Sequence, residues 1–366
     1  MFLSTINFSR LVRKTAFYFP ACISFLMAVS IVAFPQTKES NLVSLLVKQI
    51  KLTDAEMAGL SQGRVLARML KNKDKREVTG LGMIRINISQ EEFLKRYRDI
   101  ATFKQGPEVL QIGKFGNAAK IQDVQGLTLD PGDIEDLKSC KPGSCDLKLS
   151  TEMIGKLKAS ALSGAEAHEK SNTALRELLV AYVNDYVQRG DAALITYNDD
   201  KHPFSVADDF KSLLGDAALL QEYAPELARY LLGYPKTELP GSESFIYWSK
   251  EKFGLKPVIS VTQVVIYQRD VGNRKELLIA TKQLFADHYF DSSLGMAIMT
   301  QESADSKLPG NYLVYVNQSR ADAIKGFLTG LRRSVVESKS LTTLKTSLKL
   351  TKERLEKPIV NGGKRL

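Results

Sequence analysis

One polar cluster in the sequence has residue types that could do acid–base chemistry. Asp287, His288 and Asp291 stand close together in the segment Asp287-His288-Tyr289-Phe290-Asp291. A histidine beside carboxylates can act as a general base, because a nearby negative charge raises the pKa of the imidazole. The same residues also suit a tight polar turn, in which aspartate side chains accept backbone hydrogen bonds. The sequence leaves both interpretations open, an enzyme site centred on His288 and a structural turn.

Other motifs that carry chemistry are absent from the sequence. The three histidines, His168, His202 and His288, lack partners at the spacing of metal ligands. The chain has no nucleophile elbow, no phosphate-binding loop and no dinucleotide fingerprint. We therefore predict no metal site and no cofactor, and we favour a protein without enzymatic activity.

A second group of residues could bind a ligand without catalysis. The candidates are aromatic or cationic and lie on or next to predicted strands: Tyr247, Trp248, Tyr312, Tyr315 and Arg320. The aromatic side chains could line the mouth of an apolar cavity or belong to the packed core. The guanidinium of Arg320 could bind an anionic headgroup or pair with Asp322.

Two cysteines flank a turn and predict a disulfide bond. Cys140 and Cys145 enclose Lys-Pro-Gly-Ser, and Pro142-Gly143 is a strong turn signal. In an oxidising compartment such a pair is expected to be bonded. The spacing differs from the Cys-x-x-Cys redox motif, and Asp146 stands where haem attachment needs a histidine. We therefore predict a structural disulfide between these two residues.

The elements that position the candidates lie in the last third of the chain. From Glu243 to Tyr315 the alternation of apolar and polar residues and the turn signals predict successive β-strands. Ser319 to Glu356 has the pattern of one amphipathic helix. Antiparallel strands closed by a C-terminal helix are typical of a helix-grip fold. In that fold a curved sheet grips the helix and can leave an apolar cavity between them.

The earlier chain reads as mixed structure. Lys38 to Asn72 has helical periodicity, with a second helix start at Thr53, and Glu77 to Ser89 alternates as a strand. Ser89 then caps a helix that runs to about Phe103. Lys120 to Val124 is predicted to be a short strand.

We predict one α+β domain over residues 37–366, interrupted by a large insertion. Residues 151–240 are mostly helical by pattern, with a clear apolar stripe from Leu175 to Val187. The insertion separates the early strands from the late ones. Core packing is its expected role.

The first 36 residues form a predicted export signal. Arg10, Arg13 and Lys14 precede an almost wholly apolar run from Ala16 to Phe34, which is the order of a signal peptide. The run is long enough that an uncleaved N-terminal membrane anchor is the alternative. Either interpretation exports the rest of the chain, to the periplasm or the exterior.

Composition fits a folded protein that meets anionic surfaces. Hydrophobic residues make up 44% and charged residues 25% of the chain, close to globular averages. The net charge of +10 favours contact with an anionic membrane surface, although spread charge can serve solubility alone. Arginine-rich blocks and stacking motifs are missing, so we predict no nucleic-acid partner.

The pattern resembles the START/SRPBCC-like helix-grip superfamily. The resemblance rests on the strand and helix at Glu77–Phe103, the late strands and the terminal helix. It covers about half of the chain and is architectural, so it implies a fold more than a function. The segments Tyr247–Pro257 and Tyr312–Asn317 are also similar to those of uncharacterised bacterial exported proteins, which imply no activity.

The resemblance implies binding of a lipid or another apolar molecule between sheet and helix. We expect such a function in the bacterial envelope. The alternatives are a structural or protein-interaction role without catalysis, and an enzyme that uses His288 with Asp287 or Asp291. The sequence does not predict an oligomeric state.

Overall fold

A computed structural model describes residues 42–252, 256–272, 274–302, 310–322 and 329–357. The predicted export signal, residues 1–36, lies outside these ranges. Residues 39–366 belong to one compact unit. Among the described residues, no helix has both the length and the apolar character needed to cross a membrane.

A large antiparallel sheet forms the centre of the fold. The strands are β1 (Leu66–Leu70), β2 (Glu77–Arg85), β3 (Val109–Lys114), β4 (Thr196–Tyr197), β5 (Phe204–Ser205), β6 (Ser242–Lys252), β7 (Pro257–Val271), β8 (Arg274–Ala286), β9 (Phe290–Glu302) and β10 (Gly310–Ala321). Eight of them pair in the order β1-β2-β10-β9-β8-β7-β6-β3, and β4 pairs with β5 separately. Strands β6 to β10 are neighbours in both sequence and space, so they form a meander.

Helices lie on both faces of this sheet. They are α1 (Leu42–Ile50), α2 (Asp54–Ser61), α3 (Gln90–Arg98), α4 (Ile100–Lys104), α5 (Pro131–Leu137), α6 (Thr151–Ala161), α7 (Ala167–Arg189), α8 (Val206–Asp216), α9 (Ala218–Tyr223), α10 (Pro225–Gly233) and α11 (Thr329–Glu356). The predicted α+β class, large antiparallel sheet and C-terminal helix are therefore confirmed.

The two sheet faces follow from the alternation of side chains along each strand. On β7, Val264 and Ile266 pack with α3, α4 and α11, whereas Val265 between them packs on the other side. We call the first side the α11 face and the second the opposite face. The opposite face is covered by α1, α2 and the helices of residues 151–240.

Helix α11 lies along strand β2 on the α11 face. Leu344 and Leu348 contact the strand where Gly80 and Gly82 have no side chains. Near the end of the helix, Lys352 donates to the carbonyl oxygen of Arg85 over 2.8 Å. The direction of α11 along β2 is fixed by these contacts, because later helix residues meet later strand residues.

The N-terminal region differs from the predicted helix over Lys38–Asn72. The second helix start is at Thr53 as expected, with a capping box in which Thr53 and Glu56 exchange hydrogen bonds. After α2, however, residues 66–70 form strand β1, with Leu66 opposite Met83 of β2. Pairing with β2 therefore decides the conformation of a segment whose local pattern suits a helix.

Two other predicted elements also change. Residues 121–124 form a 3-10 turn in place of a strand, because the Asp123 carboxylate accepts hydrogen bonds from the backbone of Gly116 and Lys120. Ser319 and Arg320 belong to β10, where Arg320 stands opposite Glu77, and not to the last helix. The described part of that helix begins at Thr329.

Cys140 and Cys145 meet at a tight turn after α5. Their sulfur atoms are 2.08 Å apart, which is the distance of a disulfide. Lys141 and Ser144 pair between them, and Gly143 has a φ of 84°, a conformation that favours glycine. The turn lies against the segment after β4, where Gly143 donates to the carbonyl oxygen of Asn198 over 2.7 Å.

Candidate functional site

The α11 face contains a groove between two groups of helices. Helix α4 borders it on one side, where Lys104 contacts Tyr247 and Glu251 of β6. Helix α11 borders it on the other side, over β2. Strands β10, β9, β8 and β7 lie between β2 and β6 and therefore form the floor. The walls converge at one end, where Arg96 of α3 donates to the carbonyl oxygen of Arg354 over 2.8 Å.

Part of this floor is exposed even though it lies in the middle of the sheet. We call it the polar patch; its members are partly exposed on the α11 face: Thr281, Ser293, Ala297, Tyr315 and Asn317. The strand register makes the patch continuous, because Tyr315 stands opposite Ala297 and Asn317 opposite Gly295. Gly295 in turn stands opposite Thr281.

Small residues lie at the centre of the patch. Ala297 has only a methyl group, and Gly295 has no side chain at all. A Cβ atom at Gly295 would lie 2.3 Å from the hydroxyl oxygen of Thr281, so any larger residue would displace that side chain. Strand β9 therefore contributes only a methyl group here, and the Thr281 side chain lies over Gly295.

The hydrogen-bonding groups of the patch are neutral. Ser293 and Ser319 share a hydrogen bond of 2.7 Å, and Asn317 donates to Ser319 over 2.9 Å. The hydroxyl groups of Thr281 and Tyr315 make no hydrogen bond within the described residues. They are therefore available to a ligand.

A tyrosine and lysine group lies beside the patch. The Nζ atom of Lys104 donates to the hydroxyl of Tyr247 over 3.2 Å and to Glu251 over 2.7 Å. Burial raises the pKa of Tyr315 to about 12, although the nearby Lys104 cation acts in the opposite direction. Burial also raises the pKa of Tyr97. Tyr97 and Tyr315 therefore stay protonated at neutral pH, and the charge of Lys104 is compensated by Glu251.

The structure divides the predicted ligand-binding aromatic residues between the two faces. Tyr247 and Tyr315 are on the α11 face, next to the groove. Trp248 is on the opposite face, where its indole N–H donates to the carbonyl oxygen of Asp123 over 2.8 Å. Tyr312 is also buried on the opposite face, in the core with α8 to α10.

Arg320 is also on the opposite face, and its side chain is 1% exposed. Its guanidinium donates to Glu77 and Asp209 over 3.2 Å and to Asp216 over 2.9 Å. Asp322, the partner of Arg320 suggested by the sequence, instead pairs with Lys148 over 3.0 Å. Arg320 is therefore enclosed by carboxylates of the protein itself.

The polar cluster around His288 gains a member that the sequence does not indicate. Asp133, at the start of α5, places its Oδ1 atom 3.2 Å from the Nε2 atom of His288. Asp287 is the neighbour of His288 in the chain, and all three side chains are buried. Asp291 points elsewhere and pairs with Lys148 and Arg76. Donor atoms of Asp133, Asp287 and His288 lie within 4.8 Å of one another, so these residues could hold a metal ion.

The charges of this cluster depend on one another. Burial raises the pKa of Asp287 to about 7, although the charge of His288 acts in the opposite direction. Burial alone would lower the pKa of His288, but the carboxylates of Asp133 and Asp287 raise it. Burial opposes ionisation of Asp133, but His288 and Lys256 outweigh it and lower the pKa of that carboxyl.

Two surface depressions lie away from both the groove and the His288 cluster. One, of about 630 Å³, is at the end of the sheet beside the start of α3, and the other, of about 830 Å³, is beside the end of α10. Both are shallow and lined largely by charged and polar side chains. Neither contains a residue of the polar patch or of the His288 cluster.

Comparisons with protein-family models, with curated proteins and with solved structures find no match for this chain. The resemblance to the helix-grip superfamily therefore stays a prediction.

Proposed function

We propose that the protein binds an amphipathic small molecule, such as a lipid, in the groove of the α11 face, in the manner of a helix-grip protein. The observation that carries this proposal is the partly exposed polar patch in the middle of the sheet. Helices border the patch on two sides, so a molecule in the groove could contact these interior strands. A groove bordered by α4 and α11 is where a helix-grip protein holds its ligand.

The chemistry of the groove favours a ligand with a neutral polar part. Thr281, Tyr315 and Asn317 offer hydroxyl and amide groups, whereas the cation next to them, Lys104, already pairs with Glu251. An anionic headgroup would have to break that pair, at a cost in charge compensation. The hydroxyl and amide groups can instead bind hydroxyls, esters or amides of a ligand.

The apolar part of the ligand would contact the partly exposed Ala297 and Tyr315, which adjoin the buried core of the α11 face. Ile279 stands opposite Ala297 on β8, and Leu313 precedes Tyr315 on the same face of β10. These residues extend the α11 core up to the edge of the polar patch. A chain or ring of the ligand would lie against Ala297 and the aromatic ring of Tyr315, with its polar part over Asn317 and Thr281.

We place this function in the cell envelope. The predicted export signal at residues 1–36 supports this location, and so does a cysteine pair at bonding distance, which suits an oxidising compartment. The net charge of +10 would favour residence near anionic lipid surfaces.

Extraction of the protein purified from its own envelope tests the proposal. Organic extracts of the wild type are analysed by mass spectrometry beside Ala297→Trp, which fills the groove, and Ala181→Trp. Ala181 is exposed on α7, on the opposite face, so its substitution is a matched control. We expect about one molecule of one compound per chain in the wild type and the control, and none in Ala297→Trp. An empty extract from folded wild-type protein would favour the structural or interaction role.

A further inference from the structure

We propose that Asp133, Asp287 and His288 form a binding site for a divalent transition-metal ion. The three side chains are 1%, 2% and 4% exposed, and one donor atom of each lies within 4.8 Å of the other two. Two carboxylates and one imidazole are ligands that Zn²⁺ and Mn²⁺ accept. The site lies on the far side of β8 from the groove, so this proposal is independent of the proposed ligand.

Two buried atoms in the cluster make no hydrogen bond within the described residues. The Oδ1 atom of Asp287 accepts a hydrogen bond from the backbone N–H of Ile259 over 2.8 Å, but its Oδ2 atom accepts none. The Nε2 atom of His288 makes no hydrogen bond either. A buried polar atom without a hydrogen bond is destabilising, so such atoms are rare unless they serve a ligand.

Asp133 contacts the imidazole of His288 without forming a hydrogen bond of good geometry. The Oδ1 atom of Asp133 is 3.2 Å from Nε2 of His288, yet the geometry is not that of a hydrogen bond. An imidazole nitrogen donates or coordinates in the plane of its ring. One donor atom of each residue lies within 4.8 Å of the other two, so a single ion could contact the imidazole and both carboxylates.

The backbone around the ligands is held on all sides, which favours a preformed site. The N–H of Asp287 donates to Ile259 over 3.1 Å, and its carbonyl oxygen accepts from the N–H of Lys148 over 2.8 Å. After His288, Tyr289 has a φ of 61°, so the chain turns sharply there. Asp133 is in the first turn of α5, which the side chain of Asp130 caps.

Lys256 is the cation that pairs with Asp133. Its Nζ atom lies 3.1 Å from Oδ1 of Asp133 and also pairs with Asp136. A divalent ion would compete with this ammonium for Asp133, and Lys256 would keep Asp136 as its partner. The two carboxylates carry two negative charges and the imidazole is neutral. Together they balance the charge of a divalent ion, so it could be buried without further anions.

Zinc titration of the full chain without a histidine tag tests this proposal. After treatment with EDTA and its removal, Zn²⁺ binding is measured by calorimetry for the wild type, His288→Gln, Asp287→Asn and His168→Gln. His168 is exposed on α7 and serves as the matched control. We expect one site per chain, about 10- to 100-fold weaker in His288→Gln and Asp287→Asn and unchanged in His168→Gln. Circular dichroism of the metal-free variants checks that they are folded.

X-ray absorption of the zinc-loaded wild type needs no variant. We expect a first shell of nitrogen and oxygen ligands at about 2.0–2.2 Å, with the multiple scattering of one imidazole. Absence of binding would overturn the proposal and leave the cluster as a proton-sharing polar turn. Binding that His168→Gln weakens as much as His288→Gln would overturn it as well.

Discussion

Arg320 and Glu77 stand opposite each other on adjacent strands, and the guanidinium Nε donates to the carboxylate over 3.2 Å across 243 positions of sequence. Both side chains are almost completely buried. The same guanidinium reaches Asp209 and Asp216 of α8, so one cation joins β2, β10 and the helical segment. Removing one member of a buried ion pair leaves an uncompensated charge and is strongly destabilising.

Replacing Arg320 by methionine should therefore make the protein easier to unfold. We expect a loss of about 3–5 kcal/mol in the free energy of unfolding, measured with urea, because Glu77 stays buried without its cation and Asp209 keeps only Arg76. Arg98→Met is the control, since its pair with Glu243 is about half exposed and should contribute less than about 1 kcal/mol. Equal effects of the two substitutions would contradict the buried network.

Asp74 should give the protein a pH-dependent part of its stability. Burial opposes ionisation of Asp74, but hydrogen bonds from the side chain and backbone of Arg76 outweigh it, so its pKa is lowered from 3.8. A lowered pKa in the folded state stabilises the protein above the unfolded pKa, and this contribution is lost as the pH falls through the folded value.

Asp74→Asn should thus be less stable than the wild type by about 1 kcal/mol at pH 7, a figure reduced for partial exposure. The difference should shrink as the pH falls below 4. Urea unfolding at several pH values measures it, with the exposed Asp146→Asn as the control. A difference that does not depend on pH would show that the carboxylate charge of Asp74 is not the cause.

Helix α11 should be held by its buried leucines. Leu348 is 4% exposed on the α11 face, and Leu350 on the same helix is 36% exposed. We expect Leu348→Ala to lower the free energy of unfolding by about 2–4 kcal/mol and Leu350→Ala by less than about 0.5 kcal/mol. Limited proteolysis of Leu348→Ala should also release the C-terminal segment sooner. Similar stability of both variants would mean that α11 does not pack on β2.

The cysteine pair should contribute modestly to stability. A bridge between Cys140 and Cys145 closes a short loop, for which chain entropy predicts roughly 2 kcal/mol. The double variant Cys140→Ala/Cys145→Ala should lose about that much, and dithiothreitol should bring the wild type close to the variant. If the reductant changes only the variant, or neither protein, the pair is not bonded in solution.

The late strands could be predicted because local signals agree there. Along β7, alternating and β-branched residues from Val258 to Gln268 fall within the observed strand Pro257–Val271. Strand β1 has no comparable signal: its five residues are all half-buried, and only the partner strand β2 determines their conformation. Elements held by long-range pairing are thus the ones that local patterns miss.

The alternation of side chains along a strand explains why the aromatic candidates are divided between two faces. Tyr247 and Trp248 are adjacent on one strand, and Tyr312 and Tyr315 are three positions apart, so each pair must point to opposite faces. Because side chains alternate along a strand, only one member of each pair can face a given groove. That Tyr247 and Tyr315 lie on the same face becomes clear only once the strand register is known.

The partnership of Asp133 with His288 could not be predicted from the sequence. Their side chains meet because α5 packs beside the turn between β8 and β9, and no local spacing connects the two positions. In the sequence Asp291 is close to His288, but residues three positions apart around a turn need not point to the same side. Tertiary packing decides which carboxylate faces the imidazole.

Titration with the neutral apolar fluorophore N-phenyl-1-naphthylamine tests most directly whether the groove of the α11 face binds a ligand. Its fluorescence is measured with the delipidated wild type, Ala297→Trp and Ala181→Trp. We predict saturable binding to the wild type and to Ala181→Trp, and an affinity lower by about tenfold or more in Ala297→Trp, because the indole fills the floor between Tyr315 and Thr281. Equal binding by all three proteins, or none by the wild type, would contradict the account.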